Sequence, residues 1–448
     1  MFILLTIKLI YGKLYLVMKI KGQYKMEFNG VITEIIAEAE KALAEKFAGF
    51  DRIAFENTSR VLDAFRRHRV SDAMFAGTTG YGYDDKGRDT LDLIYADVFG
   101  AEAALVRHNI VNGTQTIAIG LYGLLRPGDV MLSVTGKPYD TLEKVIGINP
   151  DGSMNKTGDG SLADFGVEYD QVELLPDGGV DFVGIKAKLE EYGERVKVVF
   201  IQRSKGYMTR PTLSVSTIGE IVKLSKSLSD AYVVVDNCYG EFCENIEPTA
   251  VGADMILGSL IKNAGGGTAL SGGYIAGTKR AVELASYRQT TVGTGSEVGA
   301  SLGQNRDMFR GFFLAPHTVA QALKTAALAA YVFDRLGYVT EPAWNDTRYD
   351  IIQRVQCASP EALCAFCRGI QFASPVDSFA APEPWDMPGY TDPVIMAAGA
   401  FVQGSSIELS ADGPMRPPYT AYLQGGLTYE SGKIGVMSAA SEILRLQK

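Results

Sequence analysis

The sequence predicts an α/β protein: a large domain on a mostly parallel sheet, followed by a smaller α+β domain. Three observations carry this. Six short apolar runs between 103 and 290 alternate with amphipathic stretches. The chain has 448 residues, too many for one small core. Its 46% hydrophobic and 21% charged content is that of an ordinary globular protein able to bury a sizeable interior.

Taken in order, residues 1–29 read as an extension, poorly structured or mis-started. Lys8 and Lys13 interrupt its apolar run, no small-residue cleavage site follows, and Met18 and Met26 offer later starts. The run is also too broken for a spanning helix. Residues 30–70 are helical, because Ile32, Ile35, Ile36, Ala39, Leu43 and Phe47 recur near a 3.6 period. FAGTTGYGYDDKGRDT (75–90) is a loop rich in Gly and Asp, and helical spacing resumes from Thr90 to Phe99.

The large domain is assigned to 71–320. Its strands are ALVRHNIV (104–111), DVMLSV (129–134), VKVVFIQ (196–202), AYVVVD (231–236), DMILGS (254–259) and GGYIAG (272–277). Helices are expected at 114–125, 181–192 and 214–229. In such a sheet, ligands bind beyond the carboxyl ends of the strands, so the residues just after each run are the candidates for function. A further helix at 317–338 leads into the smaller domain, assigned to 321–448. That domain has an irregular segment at 374–393, a strand at SSIEL (405–409) and a closing helix from Lys433.

Charge and cysteine content narrow the function. The net charge is −9 and no Lys/Arg-rich run tracks a phosphate backbone, so nucleic acid is not an expected partner. No membrane association is expected either. Five cysteines in this length fit a reducing cytoplasm. Cys364 and Cys367 form a lone C-x-x-C without the further ligands that zinc needs, so no metal site is expected.

Three features carry chemistry. Asp236 closes the buried run VVVD, where a carboxylate needs a partner. As a strand-end acid it also reads as a cap or turn residue. Lys262 follows ILGS, and the glycines at 265–267 suggest backbone crowded around something bound. NGTQTIAIGLYGLL (112–125) opens a helix whose free N–H groups suit a phosphate, although Gly-Thr also starts ordinary helices. The strand at 104–111 is followed by NGTQT and not by G-x-G-x-x-G, which argues against a nicotinamide site.

Phosphate-binding helix start, strand-end Asp, strand-end Lys: in that order the chain resembles the pyridoxal-phosphate enzymes of the aspartate aminotransferase fold type I. Within them it is similar to the methionine γ-lyase/cystathionine β-lyase branch and to the bacterial aluminium resistance protein group. The resemblance is carried by GYGYDDKGRDTLDLIYADVFGAE (80–102), NGTQTIAIGLYGLLRPGD (112–129), VVVDNCYGEF (233–242), GSLIKNAGGG (258–267) and LQGGLTYE (423–430). It runs from residue 30 to the end.

The resemblance implies pyridoxal 5′-phosphate, an electron sink for carbanions. Lys262 would hold its aldehyde and then move protons. Asp236 would pair with its ring nitrogen. Gly113, Thr114, Gln115 and Ser259 would hold its phosphate, and Tyr139 would stack on the ring and assist proton transfer to the leaving sulfur. Ile261 stands where the family often has a Thr. Tyr83 would reach the phosphate of a neighbouring subunit, in a homodimer or homotetramer with shared sites. Arg88 lies too far along for the family's Tyr-x-Arg spacing. Arg416, or else Arg203, would grip the substrate carboxylate through a bidentate fork. His108 reads as a buried, hydrogen-bonded histidine. The implied reaction is carbon–sulfur bond cleavage in a sulfur amino acid. Transamination or aldol-type cleavage on the same cofactor, and a metal-tolerance role independent of catalysis, are the competing readings.

Overall fold

Capping and apolar patterning place the elements. The computed structural model describes residues 4–10, 13–19, 28–387, 390 and 392–446. Where an unstructured or mis-started extension was expected, strands β1 (Leu4–Ile10) and β2 (Lys13–Lys19) pair antiparallel. The rest of 1–27 lies outside the described residues.

Helices α1 (Gly30–Ala42) and α2 (Ala44–Arg67) follow, with Asn29 capping the first. Asp85 caps α3 (Lys86–Phe99), its carboxylate accepting from the Arg88 N–H at 2.9 Å. Then come β3 (Ala103–Arg107), α4 (Gly113–Leu124), β4 (Val130–Ser133), α5 (Asp140–Ile146), β5 (Glu168–Gln171), α6 (Phe182–Tyr192), β6 (Val196–Gln202), α7 (Val215–Leu228), β7 (Tyr232–Asp236), β8 (Met255–Ser259), β9 (Gly273–Gly277) and α8 (Lys279–Gln289). All six expected strands form. β5 and α5 were not foreseen, because EYDQ lacks an apolar run and α5 is only seven residues long.

The seven strands lie in the order β3-β9-β8-β7-β6-β4-β5. β9 runs antiparallel to both neighbours, and the other paired strands are parallel. Both faces are buried, which is why these strands read as continuous apolar runs. α4, α5 and α8 cover one face over Leu105, Met131, Phe200 and Leu257. The other face shares a larger core with α1, α2, α3 and α9 (Asn305–Arg335).

α9 is 31 residues long and begins well before the expected helix at 317–338. The boundary placed at 320/321 therefore falls inside it. Beyond it, β10 (Val339–Glu341), β11 (Gln353–Gln356), α10 (Pro360–Phe372), β12 (Val394–Ala397), β13 (Ser410–Pro414), β14 (Thr420–Gln424) and α11 (Tyr429–Leu446) build the smaller unit. Its antiparallel sheet has the order β10-β11-β14-β13-β12. The strand expected at 405–409 is a turn, with β13 starting at Ser410. The Glu408 carboxylate explains this, since it accepts from the Phe401 and Val402 N–H groups and folds the segment back.

Candidate active site

The carboxyl ends of β4, β6, β7 and β8 and the N-terminus of α4 meet at one place. Gly113 opens α4 beside the ends of β7 and β8: a Cβ built on it would lie 3.4 Å from Cys238 Sγ and 3.7 Å from Ser259 Cβ. Asn112 caps this helix by accepting from the Gln115 N–H at 2.8 Å.

Lys262 stands three residues beyond β8. Its turn is tied by the Lys262 N–H to the Ser259 carbonyl (3.3 Å) and the Ile261 N–H to Ser259 Oγ (3.3 Å). Lys262 Nζ lies 4.0 Å from the centroid of the Tyr239 ring, close enough for a cation–π contact. Tyr239 has φ +72°, a strained conformation for a bulky residue. Burial alone would lower the lysine. The acidic groups around it, Cys238, Tyr239, Asp236 and Tyr139, outweigh that and hold it well above its ordinary value.

Asp236 is buried at the end of β7, with Oδ1 accepting from the Cys238 N–H at 3.1 Å. Burial raises its carboxyl, opposed by Lys262, by hydrogen bonding to Cys238 and by Arg210. Arg210 itself is buried and donates to the carbonyls of Gln202 (2.7 Å) and Ser204 (2.6 Å). Across the site, the Thr114 hydroxyl lies 2.9 Å from Tyr139 OH and 2.9 Å from Thr141 Oγ1. Gln202 Oε1 fixes the backbone of Tyr139 by accepting its N–H at 2.8 Å. Burial, then the charge of Asp236, pushes the Tyr139 phenol up.

The structure thus brings together Gly113, Thr114, Tyr139, Asp236, Ser259 and Lys262. Gln115 bonds locally: its N–H donates to Asn112 Oδ1 and its side-chain Oε1 accepts from the Val111 N–H at 2.6 Å. Arg203 is a correction. Its side chain is 0% exposed and held by Asn237 (2.7 Å), Glu244 (2.6 Å) and Glu247 (3.4 Å), so it has no fork left for a substrate. Arg416 is 45% exposed and paired with Asp392 at 2.7 Å. Arg88 is also structural, donating to the carbonyls of Gly82 (2.7 Å) and Gly299 (3.0 Å). His108 bonds the Ala300 carbonyl at 2.9 Å. Tyr83 is 59% exposed and stacks on Tyr81, with ring centroids 5.6 Å apart.

The glycines after Lys262 are crowded by the chain itself. A Cβ on Gly265 would lie 1.6 Å from the Leu260 carbonyl oxygen, and one on Gly266 (φ +56°) 2.2 Å from the Gly311 carbonyl oxygen of α9. Sequence reasoning missed Tyr239, Asp412 and Tyr207. The first sits inside a quoted motif. The other two come from distant segments, and only folding reveals that the charge of Lys262 reaches Asp412 and that Tyr207 lies beside Asp412.

Among the described residues no group of three or more His, Cys, Asp or Glu side chains is placed to hold a metal ion. The five cysteines are free. No helix among the described residues is long and apolar enough to cross a membrane.

A seven-stranded sheet with one reversed strand, and a lysine and an aspartate at its carboxyl edge, defines the fold type I class of pyridoxal-phosphate-dependent proteins. One member of that class with the same fold is the pyridoxal-5′-phosphate-dependent protein YhfS of Escherichia coli (TM-score 0.58, 15% identity, covering 86% of this chain and 95% of that one). The chain belongs to the methionine gamma-lyase family, whose model matches residues 32–444. It is 50% identical over 411 residues to the uncharacterized protein YnbB of Bacillus subtilis, spanning 92% of this chain and 96% of that protein. It is also similar to the crystal structure of a carbon-sulfur lyase involved in aluminum resistance from Clostridium novyi NT (TM-score 0.88, 48% identity, covering 93% of this chain and 96% of that one).

Proposed function

We propose that this protein is a pyridoxal-phosphate-dependent carbon–sulfur lyase acting on a sulfur-containing amino acid. The observation that carries the reading is the gathering of Lys262 Nζ, the Asp236 carboxyl and the Thr114–Tyr139 hydroxyl pair at one sheet edge, in a chain of this family. The donor set fits the cofactor. Lys262 offers an amine for the aldehyde, Asp236 a buried acid for the ring nitrogen, and the start of α4 with Ser259 offers N–H and O–H donors for the phosphate.

When bound, the cofactor supplies an electron sink for the carbanion left at Cα. Lys262 Nζ would hold the cofactor's aldehyde and would serve as the base for the Cα proton. Asp236 would pair with the ring nitrogen and favour its protonated form. Tyr139 OH, hydrogen-bonded to Thr114, is placed to pass a proton to the departing sulfur. Cleavage at Cβ or Cγ followed by hydrolysis releases a thiol, a 2-oxo acid and ammonia.

The reading also includes a second copy of the chain. Tyr81 and Tyr83 form an exposed aromatic pair, and a neighbouring subunit's phosphate would give Tyr83 a partner.

The test is thiol and 2-oxo acid release from cystathionine, methionine and cysteine. Lys262→Ala should lower turnover by roughly 10²–10⁴-fold and abolish the visible absorbance of the bound cofactor. If the wild-type holoenzyme frees no thiol or sulfide from any of these substrates, the lyase reading fails.

A further inference from the structure

The turn into α5 carries a second hydroxyl close to that of Tyr139. Tyr139 is the N-cap residue of α5, and Thr141 lies in the first turn of that helix. Thr141 Oγ1 is 2.9 Å from Thr114 Oγ1, and Tyr139 OH is 2.9 Å from the same atom. Thr114 is the second residue of α4, so the hub of these hydroxyls sits at the N-terminus of α4.

Three hydroxyls bring three O–H protons, one each. The two contacts at Thr114 Oγ1 take up two of them. One proton is left over however the hydrogens are placed, and among the described residues no carbonyl or carboxylate is bonded to any of the three oxygens. The helix start adds further donors at the same place, because the first N–H groups of a helix have no carbonyl behind them. Asn112 Oδ1 serves the Gln115 N–H. The N–H groups of Gly113 and Thr114 have no bonded acceptor among the described residues. Thr114 belongs to both sets, through its N–H and its hydroxyl.

Spare donors gathered without an acceptor suit an anion with several oxygens. We propose that Thr141 is a phosphate-holding residue of the cofactor site, donating its hydroxyl beside Thr114. With a phosphate as acceptor, Tyr139 donates to Thr114, while Thr114 and Thr141 donate to the phosphate, and each of the three protons has a partner. Ile261, in the lysine turn, has no hydroxyl to add. This rests on the pyridoxal-phosphate reading of the site and on no particular reaction.

The test is an equilibrium titration of the full-length chain, freed of cofactor, with pyridoxal 5′-phosphate and with pyridoxal, which lacks the phosphate. Both offer Lys262 an aldehyde, and visible absorbance follows both. Wild type should bind the phosphorylated form more tightly. Thr141→Val keeps the side chain's shape and loses its hydroxyl. It should weaken pyridoxal 5′-phosphate by roughly 10–100-fold, the range for a hydrogen bond to a charged group. Its binding of pyridoxal should stay at the wild-type level, which also shows that the variant is folded. Thr141→Ser, which keeps the hydroxyl, should bind both ligands as wild type does.

A Thr141→Val variant that binds pyridoxal 5′-phosphate as tightly as wild type would overturn the proposal. An equal weakening of both ligands would assign Thr141 to the packing of α5 against α4 and overturn it as well. So would a Thr141→Ser variant no better than Thr141→Val. A wild type that takes up neither aldehyde would sink the cofactor reading and this inference with it. A phosphate preference that Thr141→Val loses, in an enzyme that releases no thiol, would support this inference and sink only the lyase reading.

Discussion

At the scale of single residues, the site is held by buried acids whose charges are costly. Burial raises Asp412 to about 7, opposed by Tyr207, Lys262 and Gln424, with the Tyr239 and Tyr390 phenols also facing it. A folded-state value above the usual carboxylate range means that the native chain keeps a proton which the unfolded chain releases. Ionising Asp412 therefore costs stability as pH rises through that interval. Asp412→Asn removes the cost. Its apparent melting temperature should draw ahead of wild type from about pH 4 to pH 7 and keep a lead of a few degrees above it. Thermal scans at pH 4, 6 and 8 check this, and a lead that shrinks with pH would contradict it. Glu241 belongs to the same group, since burial raises it to about 8 beneath the site and its Oε2 has no partner.

At the scale of elements, the lysine turn is defined by what it is wedged against. Gly265 and Gly266 let the chain pass between the Leu260 carbonyl and α9. Gly265→Ala would force one of them to move, at a cost of about 1–3 kcal/mol. Because the turn carries Lys262, cofactor should be lost before the fold is. Dialysis followed by absorbance should show faster cofactor release with far-UV circular dichroism unchanged.

The elements were largely legible in the sequence. VKVVFIQ and YVVVD are buried on both faces, and such runs announce themselves. Asp236 and Lys262 were legible because a charged residue ending an apolar run is conspicuous. β5 was hidden by its polar composition, and the turn at 405–409 by Glu408, whose folding-back depends on two N–H groups earlier in the chain. Arg203 misled for a related reason. An arginine after a strand looks available until Glu244 and Glu247, more than forty positions on, close around it. The meaning of 265–267 was also tertiary, since Gly311 is far away in sequence.

At the scale of the whole molecule, the proposed second copy gives a sharp prediction. If Tyr83 serves a neighbour's site, Tyr83→Ala and Lys262→Ala impair different halves of one site. Tyr83→Ala alone should lose about tenfold in turnover, as one charge-assisted hydrogen bond would give. Co-refolding it with Lys262→Ala in equal amounts should restore roughly a quarter of wild-type turnover, through mixed dimers with one intact site each. A mixture no better than the Tyr83→Ala protein alone would show that each site is complete within one chain.

One feature of the architecture reaches beyond catalysis. α9 starts near the lysine turn and ends at the edge of the small sheet, and its 31 residues are shared by the packing of both. A cut at either end strips one sheet of a face that its neighbours need. The two sheets therefore cannot be inherited or swapped as separate modules. A recombination joint in this family should be tolerated in the surface loops of either half, but not along the helix that binds one half to the other.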